Sequence, residues 1–154
     1  MREVRNRIAD ACGWPGPPRG RSLTHVNRSH QTPAGGGRLR GVETAGRKIG
    51  WEIGSEVTTS PEQAIGDMLT ALGFQPRLER APGGRLRCRL DNCPYRDSVR
   101  ENQDVVCTLH RGLTRGLLDR VAPTATLTRF VPHDPDRAGC EIDIEGLTPA
   151  TSTR

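Results

Sequence analysis

The fold is decided by a short stretch in the middle of the chain, residues 82–90, which reads PGGRLRCRL. Its first three residues are turn formers. The next six alternate arginine with an apolar side chain, which is the pattern of a strand with one buried face. The sequence therefore predicts a β-hairpin that turns at residues 82–84, with Leu86, Cys88 and Leu90 pointing the same way.

A helix is predicted before this hairpin, because capping signals mark both of its ends. Ser60 can cap the first turn, Pro61 suits the first helical position, and Gln63 completes a capping box. Gly73 followed by Phe74 is typical of a left-handed helix stop with an apolar contact beyond it. The predicted apolar face consists of Ala64, Ile65, Met68, Leu69 and Leu72.

Two helices and two strands are predicted after the hairpin. Pro94 is expected to open a short helix, and Asp104 a second, longer one. Strand-like runs at residues 124–131 and 140–147 are separated by the turn-rich residues 132–136. This order predicts an α+β fold, with an antiparallel four-stranded sheet that has helices packed on one face.

The first part of the chain, residues 1–44, is basic and rich in glycine and proline, with too few apolar residues to build a buried face. We expect this segment to be disordered, although a basic arm that contacts nucleic-acid phosphates is the alternative. Residues 1–59 carry ten Lys/Arg against five Asp/Glu, and the remainder carries thirteen of each. The predicted domain is then residues 45–147, followed by a flexible tail at 148–154.

The segment from Ala45 to Val57 is predicted to be a helix, because an apolar residue and a glycine each recur at every fourth position. A glycine costs a helix about 1 kcal/mol relative to alanine. Two interpretations stay open, namely close backbone packing against another helix and a frayed helix. The repeating residues are Ile49, Ile53 and Val57 beside Gly46, Gly50 and Gly54.

We expect the five cysteines to serve metal binding or redox chemistry, because of the compartment in which the protein is expected. No apolar run approaches the roughly 18 to 20 residues that span a bilayer, and none follows Met1 as a signal-peptide core would. We therefore expect a soluble, cytoplasmic protein without membrane contact, in which disulfides are rare.

Three cysteines and a histidine fall on different predicted elements. Cys93 precedes a helix, whose dipole favours thiolate, and Cys107 and His110 lie one turn apart on the next helix. Cys140 begins the last strand on its inward face. These four residues fit a Cys3His site for zinc or an iron–sulfur cluster. The alternative is that Cys88 and Cys140 are small buried hydrophobes, and that His110 is an ordinary core or surface histidine.

The motifs that carry these residues are LDNCPY at 90–95, VCTLHRGLTRG at 106–116 and GCEI at 139–142. Together they resemble the C-terminal sensor half of prokaryotic winged-helix regulators of the ArsR/DeoR-like type. That family includes the repressors of iron–sulfur-cluster assembly operons, and its sensor half is similar to the 4-vinyl reductase type of domain. The resemblance covers roughly residues 45–147.

The resemblance implies that Cys93, Cys107 and Cys140 ligate a metal or cluster, with His110 as the candidate fourth ligand. It also implies a metal- or iron–sulfur-sensing regulatory domain that forms a homodimer. Residues 1–44 lack the helices of a winged helix, so we expect a sensor without its DNA reader. Such a chain should bind DNA only weakly and without sequence preference.

Two other functions follow from the same residues. The first is a structural zinc module that holds a dimer interface and senses nothing. The second is an enzyme with Cys107 as nucleophile and His110 as base. We do not expect an enzyme, because this pair has no third orienting group and the sequence contains no oxyanion-binding pattern.

Overall fold

Three helices and four strands make up the described part of the chain, residues 35–147 of a computed structural model. The predicted α+β fold with an antiparallel four-stranded sheet is confirmed. The predictions for residues 1–34 and for the tail at 148–154 lie outside the described residues. In chain order the elements are α1 (Gly35–Gly54), α2 (Pro61–Ala71), β1 (Pro76–Ala81), β2 (Arg85–Leu90), α3 (Arg96–Val121), β3 (Thr126–Val131) and β4 (Cys140–Glu145).

The sheet has the strand order β1-β2-β4-β3, and every neighbouring pair is antiparallel. The predicted hairpin forms β1 and β2. On the inner face, apolar residues of β2 and β4 lie opposite one another, because their side chains alternate along each strand. These cross-strand pairs are Leu86 with Ile144, Cys88 with Ile142, and Leu90 with Cys140.

The outer face of the sheet carries charges of both signs. Arg85 on β2 pairs with Glu145 on β4 at 3.1 Å, and Arg87 pairs with Asp143 at 3.7 Å. Both arginine side chains are about half exposed, so each pair adds little stability. Their main effect is to keep this face of the sheet polar while the inner face is buried.

Both ends of α2 follow the predicted capping chemistry. The Ser60 hydroxyl accepts a hydrogen bond from the Gln63 backbone N–H at 3.3 Å. At the other end, Gly73 has a φ of +93°, and the Phe74 N–H donates to the Leu69 carbonyl at 3.0 Å. This is a Schellman ending, which turns the chain into β1 and places Phe74 in the core.

The helix α3 is broken at Asn102, whose φ of −155° and ψ of 78° are not helical. The Asn102 side chain accepts a hydrogen bond from the Val105 N–H at 3.3 Å, so it caps the long part of α3. Two helices were predicted here, and two helical pieces exist. The second is capped by Asn102 and begins just after it, rather than at Asp104.

The helix predicted at Ala45–Val57 begins ten residues earlier than expected, at Gly35, and ends at Gly54. Its glycines lie directly against the backbone of α3. A Cβ added at Gly46 would be 2.5 Å from the Leu109 carbonyl oxygen, and one at Gly112 would be 2.4 Å from that of Glu43. The close-packing interpretation is therefore confirmed. The stability of α1 comes from this tertiary contact, which the local composition does not reveal.

Ion pairs flank the glycine contact between α1 and α3. Glu43 accepts hydrogen bonds from Arg111 at 2.9 Å and from Arg115. Burial raises the pKa of Glu43, but the two guanidinium groups together outweigh it, so the net pKa is lowered. Arg47 pairs with Asp119 at 2.5 Å. These contacts fix the register in which the two helices meet.

Candidate metal centre

Three of the four predicted ligands are brought together at one end of the sheet. Cys93 lies just before α3, Cys107 lies on α3 beyond the break, and Cys140 is the first residue of β4. A thiolate charge on Cys140 acts on both other thiols, and one on Cys93 acts on Cys107. These three cysteines are distant in sequence but close enough in space to interact electrostatically.

Burial keeps the thiols of Cys93 and Cys107 protonated in the metal-free protein. It raises the pKa of Cys107 to about 11, and the Cys140 and Cys93 charges add to the effect. The pKa of Cys93 is also raised by burial, although a backbone hydrogen bond from Tyr95 and the charge of Arg96 oppose this. The expectation that the helix dipole would favour thiolate at Cys93 is therefore wrong, because desolvation is the larger effect.

Two of the sulfur atoms receive backbone N–H groups. The His133 N–H donates to Cys140 Sγ at 3.3 Å, and the hydrogen bond from Tyr95 reaches Cys93. Such donors stabilise negative charge on sulfur, and they tune the properties of metal-bound thiolates and clusters.

His110 lies between two aromatic rings, one turn beyond Cys107. Its ring stacks on Phe74, with centroids 4.7 Å apart, and meets Phe130 edge to face at 5.1 Å. Its Nε2 atom is buried and has no hydrogen-bond partner among the described residues. Burial lowers the pKa of His110 to about 4, so the imidazole is neutral at pH 7, which is the form that binds metals.

The aromatic neighbours place His110 at the same end of the sheet as the cysteines. Phe74 is adjacent to Gly73, whose carbonyl accepts a hydrogen bond at 2.9 Å from Asn92, the residue before Cys93. Phe130 lies opposite Ile142, two residues beyond Cys140. The imidazole is thus flanked by two rings whose chain segments lie next to those that carry Cys93 and Cys140.

The four predicted ligands do not surround a common point. Within residues 35–147, no group of three or more His, Cys, Asp or Glu side chains has an arrangement that could hold a metal ion. The ligand set Cys93, Cys107, His110 and Cys140 therefore stays a prediction. Binding would require the side chains to turn toward one another.

Cys88 differs from the other three described cysteines. It is fully buried on β2, opposite Ile142, and burial raises the pKa of its thiol to about 12. This agrees with its interpretation as a small buried hydrophobe. Cys12 lies outside the described residues.

One polar group near the start of α3 was missed by sequence reasoning. Ser98 is 9% exposed, and its hydroxyl is buried without a hydrogen-bond partner in the described part of the chain. The sequence offers no signal for it, because serine is common in the first turns of helices.

Comparison with known proteins adds little to this site. No protein-family model matches the sequence, and no curated protein matches it. A solved structure of an H-NOX protein from S. oneidensis, in the Fe(II) ligation state, is similar to 99% of this chain and 89% of its own. The identity is 15% and the TM-score 0.46, values too low to bear on function. No helix in residues 35–147 combines the length and apolarity that crossing a membrane requires.

Proposed function

We propose that residues 35–147 form a metal- or iron–sulfur-sensing regulatory domain of a prokaryotic transcriptional regulator. Cys93, Cys107 and Cys140 would hold the metal or cluster, with His110 as fourth ligand. The observation that carries the proposal is that three thiols from separate chain segments lie close enough to interact electrostatically. The buried Nε2 of His110, which has no hydrogen-bond partner within residues 35–147, and the N–H donors at two sulfurs support the same donor set.

The site couples metal binding to the arrangement of the domain. The three cysteine ligands come from the start of α3, from its long part and from the start of β4, so one bound group would tie these pieces together. The pKa values of Cys93 and Cys107 are raised, so binding must release their thiol protons. When bound, the metal or cluster would supply a charge whose presence or loss changes this arrangement.

A structural zinc module is the second candidate. The loop between β3 and β4 is joined to α3 through Asp136, by ion pairs between side chains that are about half exposed. Such pairs add little stability, so a zinc ion bound by the nearby thiols would provide much of the stability of this connection. Zinc held without exchange would favour this candidate over sensing.

Metal content distinguishes Cys107 from Cys88. After anaerobic purification, the Cys107→Ser variant should contain at most about one tenth of the metal that the unmodified protein contains, because a ligand is lost. Cys88→Ala should keep its metal, because its thiol is a buried core group. Metal analysis and the absorption spectrum measure this. Iron with broad visible absorption would indicate a cluster, whereas a colourless zinc protein would favour the structural module. Equal metal loss from both variants would contradict the proposed ligand set.

DNA binding by this chain is expected to be weak and set by phosphate contacts. Its formal charge of +5 comes from residues 1–59, and we propose no groove-reading element for it. Gel-shift titrations at two ionic strengths, with operator-like and scrambled duplexes, should show affinity that falls steeply with salt and ignores sequence. Sequence-selective binding that survives raised salt would show that the chain contains a DNA reader.

We also propose a homodimer, which sedimentation can test.

A further inference from the structure

The cysteine site is bounded by two chain pieces, each of which is joined along the chain to one of its thiols. One is the first part of α3, Arg96–Glu101, which the break at Asn102 divides from the rest of the helix. The other is the loop at residues 132–139 that joins β3 to β4. We name these two pieces together the strap. Cys93 directly precedes the first piece with its flanking turn, and Cys140 directly follows the second.

A single carboxylate joins the two pieces of the strap. Asp136 in the loop accepts a hydrogen bond from Arg100 at 2.5 Å, and Arg96 lies 3.7 Å away. Just beyond the break, the Gln103 side chain donates to the His133 carbonyl at 3.3 Å. The Arg100 and Asp136 side chains are 51% and 52% exposed, so water and salt compete with their pairing.

The loop piece is held in an uncommon backbone conformation where it enters β4. Ala138 has a φ of +55°, in the left-handed region that residues with a Cβ rarely adopt, and Gly139 follows with a φ of +83°. The Ala138 N–H donates to the Asp134 carbonyl at 2.9 Å. A non-glycine residue in this region costs free energy and persists only where surrounding contacts hold it.

The strap also provides hydrogen-bond donors for the thiols. The His133 N–H at Cys140 belongs to the loop piece. The Tyr95 hydrogen bond at Cys93 comes from the residue directly before Arg96. Separation of the two pieces would therefore alter both the access to the thiols and the groups that stabilise charge on them.

We propose that the strap is a latch, closed by the Asp136 pairs with Arg96 and Arg100, that controls entry to and release from the cysteine site. Asn102 is the hinge on the helix side, and the left-handed Ala138 is the hinge on the loop side. The latch depends on the proposed function in one respect only, namely that the group retained at the site is a metal or cluster. The exposure of thiols in metal-free protein tests it separately.

The test compares maleimide alkylation rates of individual cysteines in the metal-free full chain, measured by mass spectrometry. Asp136→Asn and Arg100→Gln should each speed alkylation of Cys93 and Cys140 by up to about fivefold, the range expected for losing exposed ion pairs. The two variants change the net charge in opposite directions. A purely electrostatic effect on thiol reactivity would therefore shift their rates oppositely, and that result would overturn the latch.

Two controls complete the design. Glu145→Gln breaks a comparable exposed ion pair on the outer face of the sheet and should leave all rates unchanged. Cys88 reports general unfolding, because it is fully buried. Unchanged rates at Cys93 and Cys140 in both latch variants, or an equal rise at Cys88, would overturn the proposal. If the rates rise selectively and the protein binds neither zinc nor iron, the latch stands and the proposed function fails.

Discussion

Replacing Gly116 with alanine should lower the free energy of unfolding by about 3 kcal/mol, the upper range for overpacking a well-packed interior. The added Cβ would lie 1.9 Å from the Arg47 carbonyl oxygen and 2.8 Å from the Trp51 nitrogen. Both are backbone atoms of α1, so no flexible side chain can move aside. The same substitution in an open helix is favourable, so the predicted sign is opposite to helix propensity.

Urea unfolding of the metal-free protein measures this effect, and α1 itself provides the control. No atom of the described residues lies within 4 Å of a Cβ added at Gly37 or Gly41. Alanine at either position should therefore stabilise the protein, by up to about 1 kcal/mol. A Gly116→Ala protein as stable as the unmodified one would show that α1 does not pack on α3 through its backbone.

Acidification should destabilise the metal-free protein well before most carboxylates titrate, because of His110. Its pKa is near 4 in the folded state and near 6.5 when unfolded. Between these values the unfolded state binds more protons, so stability falls as the pH falls. The slope should reach about 1 kcal/mol per pH unit, for a total of about 3 kcal/mol between pH 6.5 and pH 4.

Unfolding curves between pH 7 and pH 5 measure this slope above the range in which most carboxylates titrate. His110→Phe keeps an aromatic ring between Phe74 and Phe130 and removes the titrating group, so its stability should vary much less over this range. His133→Gln, at a histidine in the exposed β3–β4 loop, should keep the steep dependence. An unchanged slope in His110→Phe would show that the imidazole is hydrated rather than buried.

The sequence predicts best those features that depend on neighbouring residues. The caps of α2, the turn at residues 82–84 and the alternation along β2 involve contacts within a few positions, and each is confirmed. The start of α1 at Gly35 was missed, because that helix is held by the backbone of α3, far along the chain. The glycine period was visible, but from sequence alone it fitted two opposite interpretations.

The candidate site shows the same division. The cysteine motifs placed Cys93, Cys107 and Cys140 on elements that do meet at one end of the sheet. The protonation of Cys93 and Cys107 could not be predicted, because desolvation depends on the packing of distant segments and outweighs the local helix dipole at Cys93. The same reason hid the unpartnered Nε2 of His110, whose aromatic neighbours Phe74 and Phe130 come from two other parts of the chain.

The glycine contact between α1 and α3 has a mechanical consequence. Two main chains in direct contact cannot slide past each other without a clash, so the two helices must move as one rigid body. The Leu109 carbonyl, which faces Gly46, lies between Cys107 and His110 on α3. If that turn of α3 shifted, α1 would therefore move with it, because the contact is between main chains rather than between flexible side chains. The movement would reach Gly35, where the chain connects to residues 1–34.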